Sequence, residues 1–319
     1  MIAIIVLVLF SFADISLQAD WSYSYETQWP GVCNVGKQQS PINIMTRDAV
    51  LDQHQVHLRG PLQFRGYSDV KLSAVNNGHT LKWSGVDGNP APVLSGGPLR
   101  GNYTFLQFHL HWLSEHAIDG MKYPLEIHMV HIKTGLTLDE ALSRSDGLAV
   151  VGVMAVLYNG LEGDRALEQI MPVVPILINS SQNTTEPTSI DITRLLSPNP
   201  QSYYTYHGSL TTPMCQETVT WIVMDKPIFI TNDQYHMFNK VDVGGDYNYR
   251  SLQPANRVVY RSIASCSSIL LPSIPGTLIS LFSCLSTSLA AGVNKGVCAL
   301  MNVKRKLFGD SLAKCIKLD

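Results

Sequence analysis

The amino-acid sequence predicts a mainly β domain with short helices, an α+β fold, over roughly residues 21–261. Three observations carry that prediction. Short runs rich in Val, Ile, Tyr, Phe and Thr recur along the chain, Gly, Pro and Asn break them every ten or so residues, and only two stretches have helical texture. The strand candidates are, in order, VKLSAV (70–75), YTFLQFHLHW (103–112), LEIHMVHI (125–132), LAVVGVMAVLY (148–158) and TVTWIVM (218–224). The helix candidates are GDRALEQIMPVV (163–174) and the segment around ITNDQYHMF (230–238). With 319 residues, 45% hydrophobic and 15% charged, the chain can bury a large core. A net charge of −2 without a long basic run leaves no electrostatic footprint for nucleic acid.

The two ends read differently. MIAIIVLVLFSF is apolar and uncharged and turns polar at SLQAD, so residues 1–19 are expected to be a secretory signal peptide cut after Ala19, with Ala13 as the other cleavage position. The sequons at Asn102, Asn179 and Asn183 fit glycosylation on that route, and the last two fall in the polar loop NSSQNTTEPTS. Residues 263–319 form a C-terminal extension that lacks charge until Lys295, with a candidate membrane-spanning segment at about 269–293 and a short basic tail. Pro272, Pro275 and many serines lower its hydrophobicity, and a membrane anchor and a secreted extension both stay open. The expected location is secreted or the extracellular face of the plasma membrane. Cys33 and Cys215 lie in the body of the chain and would be free to pair in an oxidising compartment, for a gain of roughly 3 to 5 kcal/mol. Cys266, Cys284, Cys298 and Cys315 fall in the extension, and no CxxC spacing suggests a cysteine-held metal.

The chemistry concentrates in FHLHWLSEH, residues 108–116. Strict alternation along that strand puts Tyr103, Phe105, Gln107, His109 and His111 on one face and Leu106, Phe108, Leu110 and Trp112 on the other. The turn AIDGMKYP returns the chain as an antiparallel neighbour, with Glu126, His128 and Val130 on one face and Leu125, Ile127, Met129 and His131 on the other. An isolated HxH is more often a pair of ordinary hydrogen-bonded histidines. Here His128 supplies a third imidazole beside His109 and His111, and three neutral imidazoles suit Zn²⁺ in a catalytic site with an open position for a water whose pKa falls to about 7. Gln107 and Glu126 lie where each could accept the ring N–H of its neighbouring histidine.

WSY, QQSPINI, NNGH, QFHLHW, SEH, LEIHMVH, LAVVG, YTYHGSLTTP and TVTWIV occur in the order found in the alpha-class carbonic anhydrases, and the chain resembles that family through nearly all of residues 21–261. The resemblance implies one catalytic domain, about residues 20–262, built on a large, mostly antiparallel twisted sheet with zinc at the base of a conical cleft. It implies reversible hydration of CO₂ to bicarbonate and a proton through zinc-bound hydroxide, with His109, His111 and His128 as ligands, and inhibition by sulfonamides and small anions. Thr211 resembles the threonine that accepts the hydroxide proton and whose N–H meets substrate, Glu115 the acid that accepts the threonine's proton, and His79 the proton shuttle. Tyr23, Asn77 and Thr212 match residues that order the water chain, with Thr212 also placed at the substrate. Val130, Val150, Leu210 and Trp221 match the apolar wall on which CO₂ rests. Asn256 resembles the residue whose carbonyl supports the second zinc histidine, and Cys33 and Cys215 fall where secreted members carry a disulfide. His116 and His131 are expected to be buried and structural, with Tyr206 as partner of His116.

Some positions depart from the family pattern. Only Trp112, Leu113 and Ser114 separate His111 from Glu115, a short link that resembles bacterial and plant forms. Met214 and His207 stand where proline is common, and Lys82 where an amide is common. A catalytically weak domain of the same fold, serving in binding or in a mineralising matrix, is the alternative; such domains usually lack a zinc histidine, and acidic runs are absent here.

Overall fold

The computed structural model describes residues 21–262 except 53–58, 87, 159–165 and 185. The segment expected to be a signal peptide and the expected C-terminal extension with its four cysteines lie outside the described residues. Among those described, no helix is long and apolar enough to cross a membrane.

The strands run along the chain as β1 (Asn43–Ile44), β2 (Val50–Leu51), β3 (Gln63–Arg65), β4 (Val70–Asn76) and β5 (Leu81–Gly85). Next come β6 (Val93–Ser95), β7 (Tyr103–His111), β8 (Ala117–Ile118), β9 (Leu125–Lys133) and β10 (Leu148–Leu157). The last five are β11 (Thr188–Ile190), β12 (Tyr203–Gly208), β13 (Val219–Met224), β14 (Ile228–Ile230) and β15 (Tyr260–Arg261). Thirteen of them form one mixed sheet in the order β11-β4-β5-β7-β9-β10-β13-β12-β15-β2, with β14, β3 and β6 off that path. β10 runs parallel to β13 and β14, and β15 parallel to β2; the other pairs of this sheet are antiparallel.

Sequence texture follows position in the sheet. β9 and β10 lie at its centre and read as nearly unbroken buried runs, because both faces are covered. β4, near one edge, alternates buried and more exposed residues. One buried cluster, with Trp83, Phe108, Leu110, Ile127 and Val151, covers one face, and another, with Val130, Val150, Tyr206 and Trp221, covers the face that carries the histidines.

Two expectations are corrected. The alternation of β7 is not strict: the register with β9 slips between Phe105 and Gln107, a β-bulge that inserts one residue. Tyr103 and Phe105 therefore join Phe108, Leu110 and Trp112 in the first cluster, while Leu106 packs on the second. The described part of the stretch 163–174 is not α-helical but a turn followed by a 3₁₀ helix over Met171–Leu177. Pro172 and Pro175 have no N–H to donate and cannot sustain i to i−4 bonding. The other helix forms at Asn232–Phe238, where Thr231 and Gln234 make a reciprocal capping box.

His131 belongs to the packing, as expected. Its Nδ1–H donates to the Ala149 carbonyl at 3.2 Å, which fixes the tautomer, and Nε2 meets the Tyr67 hydroxyl at 2.6 Å. Burial pushes its pKa down to about 4. An imidazole in the unfolded chain titrates near 6.5, so between about 6.5 and 4 the unfolded state binds the extra proton. Stability from this group is complete above pH 6.5 and falls by about 3 kcal/mol as the pH drops to 4. Urea unfolding at pH 7.0, 5.5 and 4.5 should show this slope in the parent protein, and His131→Gln should be flatter by that amount.

Candidate metal centre

Two rows of paired residues cross the sheet on the histidine face. In one, Lys82 of β5 pairs with His109 of β7, His109 with His128 of β9, and His128 with Gly152 of β10. In the next, Gln107 pairs with Val130, Val130 with Val150, and Val150 with Trp221. The bulge in β7 is what keeps Gln107, His109 and His111 in phase with Val130, His128 and Glu126.

His109, His111 and His128 converge, each offering a ring nitrogen within 4.8 Å of the others. Their rings lie 4.6 to 5.2 Å apart between centroids. The far nitrogen of each ring is already committed. His109 Nδ1 meets Gln107 Oε1 at 2.9 Å, His128 Nε2 meets Glu126 Oε1 at 2.8 Å, and His111 Nδ1 donates to the Asn248 carbonyl at 2.5 Å. Those bonds turn His109 Nε2, His111 Nε2 and His128 Nδ1 inward. His111 Nε2 is buried without a hydrogen-bond partner among the described residues, and so is Glu115 Oε2, 3.6 Å from it and 3.8 Å from His128 Nδ1.

Three inward imidazole nitrogens, one of them an orphan, with a buried carboxylate oxygen beside them form a donor set that fits a zinc ion. Electrostatics agree. Burial, then the charges of His111, His128 and Lys82, hold His109 well below the usual imidazole range, and burial also lowers His111, so both are neutral donors at pH 7. Burial alone would lower His128, but Glu126, with Glu115 behind it, raises it instead. The negative charge that favours a proton on that ring favours a cation equally. Glu126 stays ionised because His116 and His128 outweigh its burial.

The supporting contacts are long in sequence. Glu126 also holds His116, through Nδ1 at 2.7 Å and the backbone N–H at 2.8 Å, and His116 Nε2 meets the Tyr206 hydroxyl at 2.6 Å. His116 therefore stands behind the ligands, as does Gly152, where a Cβ would approach Glu126 Oε1 to 3.0 Å. Asn248 is the residue behind His111, not Asn256, which is exposed. The Asn248 side chain also bonds Trp112 N–H and the Leu110 carbonyl, pinning the end of β7. A supporting carbonyl can come from any residue type, so the sequence carries no mark for it, and Gly152 reads only as one small residue in an apolar run.

Glu115 is held from the other side. Its Oε1 accepts from the Arg250 backbone N–H at 2.8 Å, and Oε2 is left unbonded beside the ligating nitrogens. The buried Arg250 guanidinium bonds Gln39 Oε1, the Ser40 carbonyl and the Cys33 carbonyl, tying the centre to the N-terminal segment.

Val130, Val150 and Trp221 are buried together with Leu210 against them, forming an apolar wall beside the histidines. The Trp221 ring lies 4.8 Å from His128, and its Nε1–H donates to the Ser209 carbonyl. Thr211 is buried at the start of the next loop, and Thr212 accepts from Cys215 N–H there. Met214 and Cys215 take left-handed backbone conformations, and a Cβ on Gly31 would come within 2.6 Å of Met214 Cα, so glycine is required at 31. Cys33 and Cys215 form a disulfide with Cα atoms 5.0 Å apart.

His79 is half-buried and stacks on Trp21 with ring centroids 3.8 Å apart. The Asn77 Oδ1 accepts from the His79 and Thr80 N–H groups, shaping the turn that presents the imidazole. Tyr23 is buried, and that burial, with the charges of Glu115 and Glu26, raises its phenol well above the usual value. Asn102, Asn179 and Asn183 are all exposed.

The family model described as eukaryotic-type carbonic anhydrase matches residues 18–263. "Putative carbonic anhydrase 5" of Caenorhabditis elegans is 37% identical over 290 residues, 83% of this chain and 91% of that protein. Rat carbonic anhydrase 4 is 36% identical over 281 residues, 82% of this chain and 86% of the relative. Human carbonic anhydrase 7 is 37% identical over 214 residues, 65% and 78% of the two chains.

Proposed function

The chain belongs to the eukaryotic-type carbonic anhydrases and is a carbonate dehydratase acting on CO₂ and bicarbonate, and from that premise we propose that its reaction runs at the His109–His111–His128 centre. The observation that carries this reading is the set of three inward ring nitrogens with the orphaned His111 Nε2 among them. Zinc held by three neutral imidazoles supplies a water with pKa near 7, and so a nucleophile at neutral pH.

The chain's own residues do the rest. Gln107, Asn248 and Glu126 hold the three rings in their tautomers. Glu115 directs negative charge at the ligating nitrogens and favours a cation among them. Val130, Val150, Leu210 and Trp221 give uncharged CO₂ a surface where water competes poorly. Thr211 and Thr212 close the wall from the disulfide-braced loop and orient the reacting oxygen through hydroxyl and backbone N–H. His79 takes the proton outward, since imidazole is the side chain type that both accepts and releases protons near neutral pH.

Stopped-flow CO₂ hydration by the purified protein, before and after zinc removal and with a sulfonamide, tests the reading. A protein whose hydration rate ignores both treatments would overturn it. His79→Ala should slow turnover in weak buffer, with added imidazole restoring it; no response to imidazole would assign the proton to another group.

The cellular location belongs to the same proposal. The Cys33–Cys215 disulfide, three exposed sequon asparagines and the apolar first residues support a secretory route, on which the reaction would run outside the cytoplasm.

A further inference from the structure

Lys82 has no part in the reaction as set out above, yet it occupies the histidine row. It pairs directly with His109, which pairs with His128, so all three side chains leave the same face of the sheet. The opposite face of β5 is filled by buried Leu81 and Trp83, with Trp83 stacked on Phe108 at 5.0 Å, and Lys82 has no room there. The residue is half-buried, and its ammonium makes no ion pair or hydrogen bond among the described residues. Its charge is nevertheless felt at His109.

The centre's own carboxylates do not answer that ammonium. Glu126 is committed to His116 and His128, and Glu115 Oε1 to Arg250. A partly desolvated cation without a protein counter-charge favours a mobile anion from solvent. Gln107, whose oxygen faces His109, adds amide N–H donors in the neighbouring row.

We propose that Lys82 is an anion-holding residue of the centre, which binds a small monovalent anion, bicarbonate in the reaction, on the His109 side and leaves uncharged CO₂ unaffected. This rests on the assignment of the three histidines as the metal centre. The pocket thereby distinguishes the two carbon species by charge: the apolar wall takes the neutral one, and Lys82 the anion.

The test uses the zinc-loaded protein and thiocyanate as probe, with displacement of a fluorescent benzenesulfonamide as an equilibrium readout. The dye's own Kd is measured first for each variant. Lys82→Gln and Lys82→Met, which keeps the stem without the charge, should each weaken thiocyanate by about fivefold, the scale of one partly screened charge pair. Lys82→Arg should stay within about twofold of the parent. The bicarbonate KM should rise with the loss of charge while the CO₂ KM does not. Thiocyanate binding within twofold of the parent in both neutral variants overturns the proposal, as does an Arg variant as weak as the neutral ones. If the parent protein neither binds zinc nor hydrates CO₂, the metal-centre reading itself fails, and that outcome is distinct from the other two.

Discussion

A His111→Ala protein is expected to leave dialysis with most of its zinc gone, where the parent holds about one ion per molecule, and to lose CO₂ hydration by at least about a thousandfold. The expectation follows from geometry. His111 Nδ1 is fixed on the Asn248 carbonyl, so the ring has one nitrogen to offer, and that nitrogen is buried without another partner. Removing it leaves two imidazoles and an uncompensated Glu115 oxygen in a closed space. Metal analysis should be run beside His131→Gln, whose histidine lies on the other face of β9, bonded to Tyr67. That control should lose stability and keep its zinc. Equal zinc in His111→Ala and the parent would end the ligand assignment.

Replacing both Cys33 and Cys215 by Ser should cost the folded domain about 5 kcal/mol, or roughly 10 to 20 °C in Tm. The disulfide closes a separation of 182 residues, and the entropy that such a cross-link removes from the unfolded chain grows with the logarithm of its length. A second effect is local. Cys215 is the left-handed residue that ends the Thr211–Cys215 loop, and the Cys33 carbonyl holds Arg250, whose N–H holds Glu115. Weakened zinc-dependent activity should therefore accompany the stability loss at temperatures where the variant is still folded. Urea unfolding of the double variant within about 1 kcal/mol of the parent would contradict the loop-entropy account.

Strands β4, β7, β9, β10 and β13 were legible because β-branched and aromatic runs bounded by turn residues have few other ways to fold, and β7 and β9 also showed their histidines by phase. The two- and three-residue strands such as β2, β14 and β15 carry too little pattern to be seen. The bulge in β7 hid because apolar residues fill both phases of YTFLQF. The trace it left was two aromatics, Tyr103 and Phe105, assigned by strict alternation to the histidine face. The candidate ligands and Glu126 lie within twenty residues of one another, where alternation is informative. Asn248 and Arg250 act through a backbone carbonyl and a backbone N–H, and no side-chain alphabet records which residue will do that.

That split between near and far contacts has a consequence during synthesis. His109, His111 and His128 emerge from the ribosome close together, and β7 and β9 are joined by only the segment 112–124. The carbonyl that sets His111 is 137 residues downstream, and the N–H that sets Glu115 is 135 downstream. At about 5 to 20 residues per second, the histidines wait roughly 7 to 30 seconds for those partners. The nascent hairpin is thus able to meet a metal well before its geometry is locked, and the segment around Asn248 and Arg250 acts as a late fastener on a site whose donors were made early.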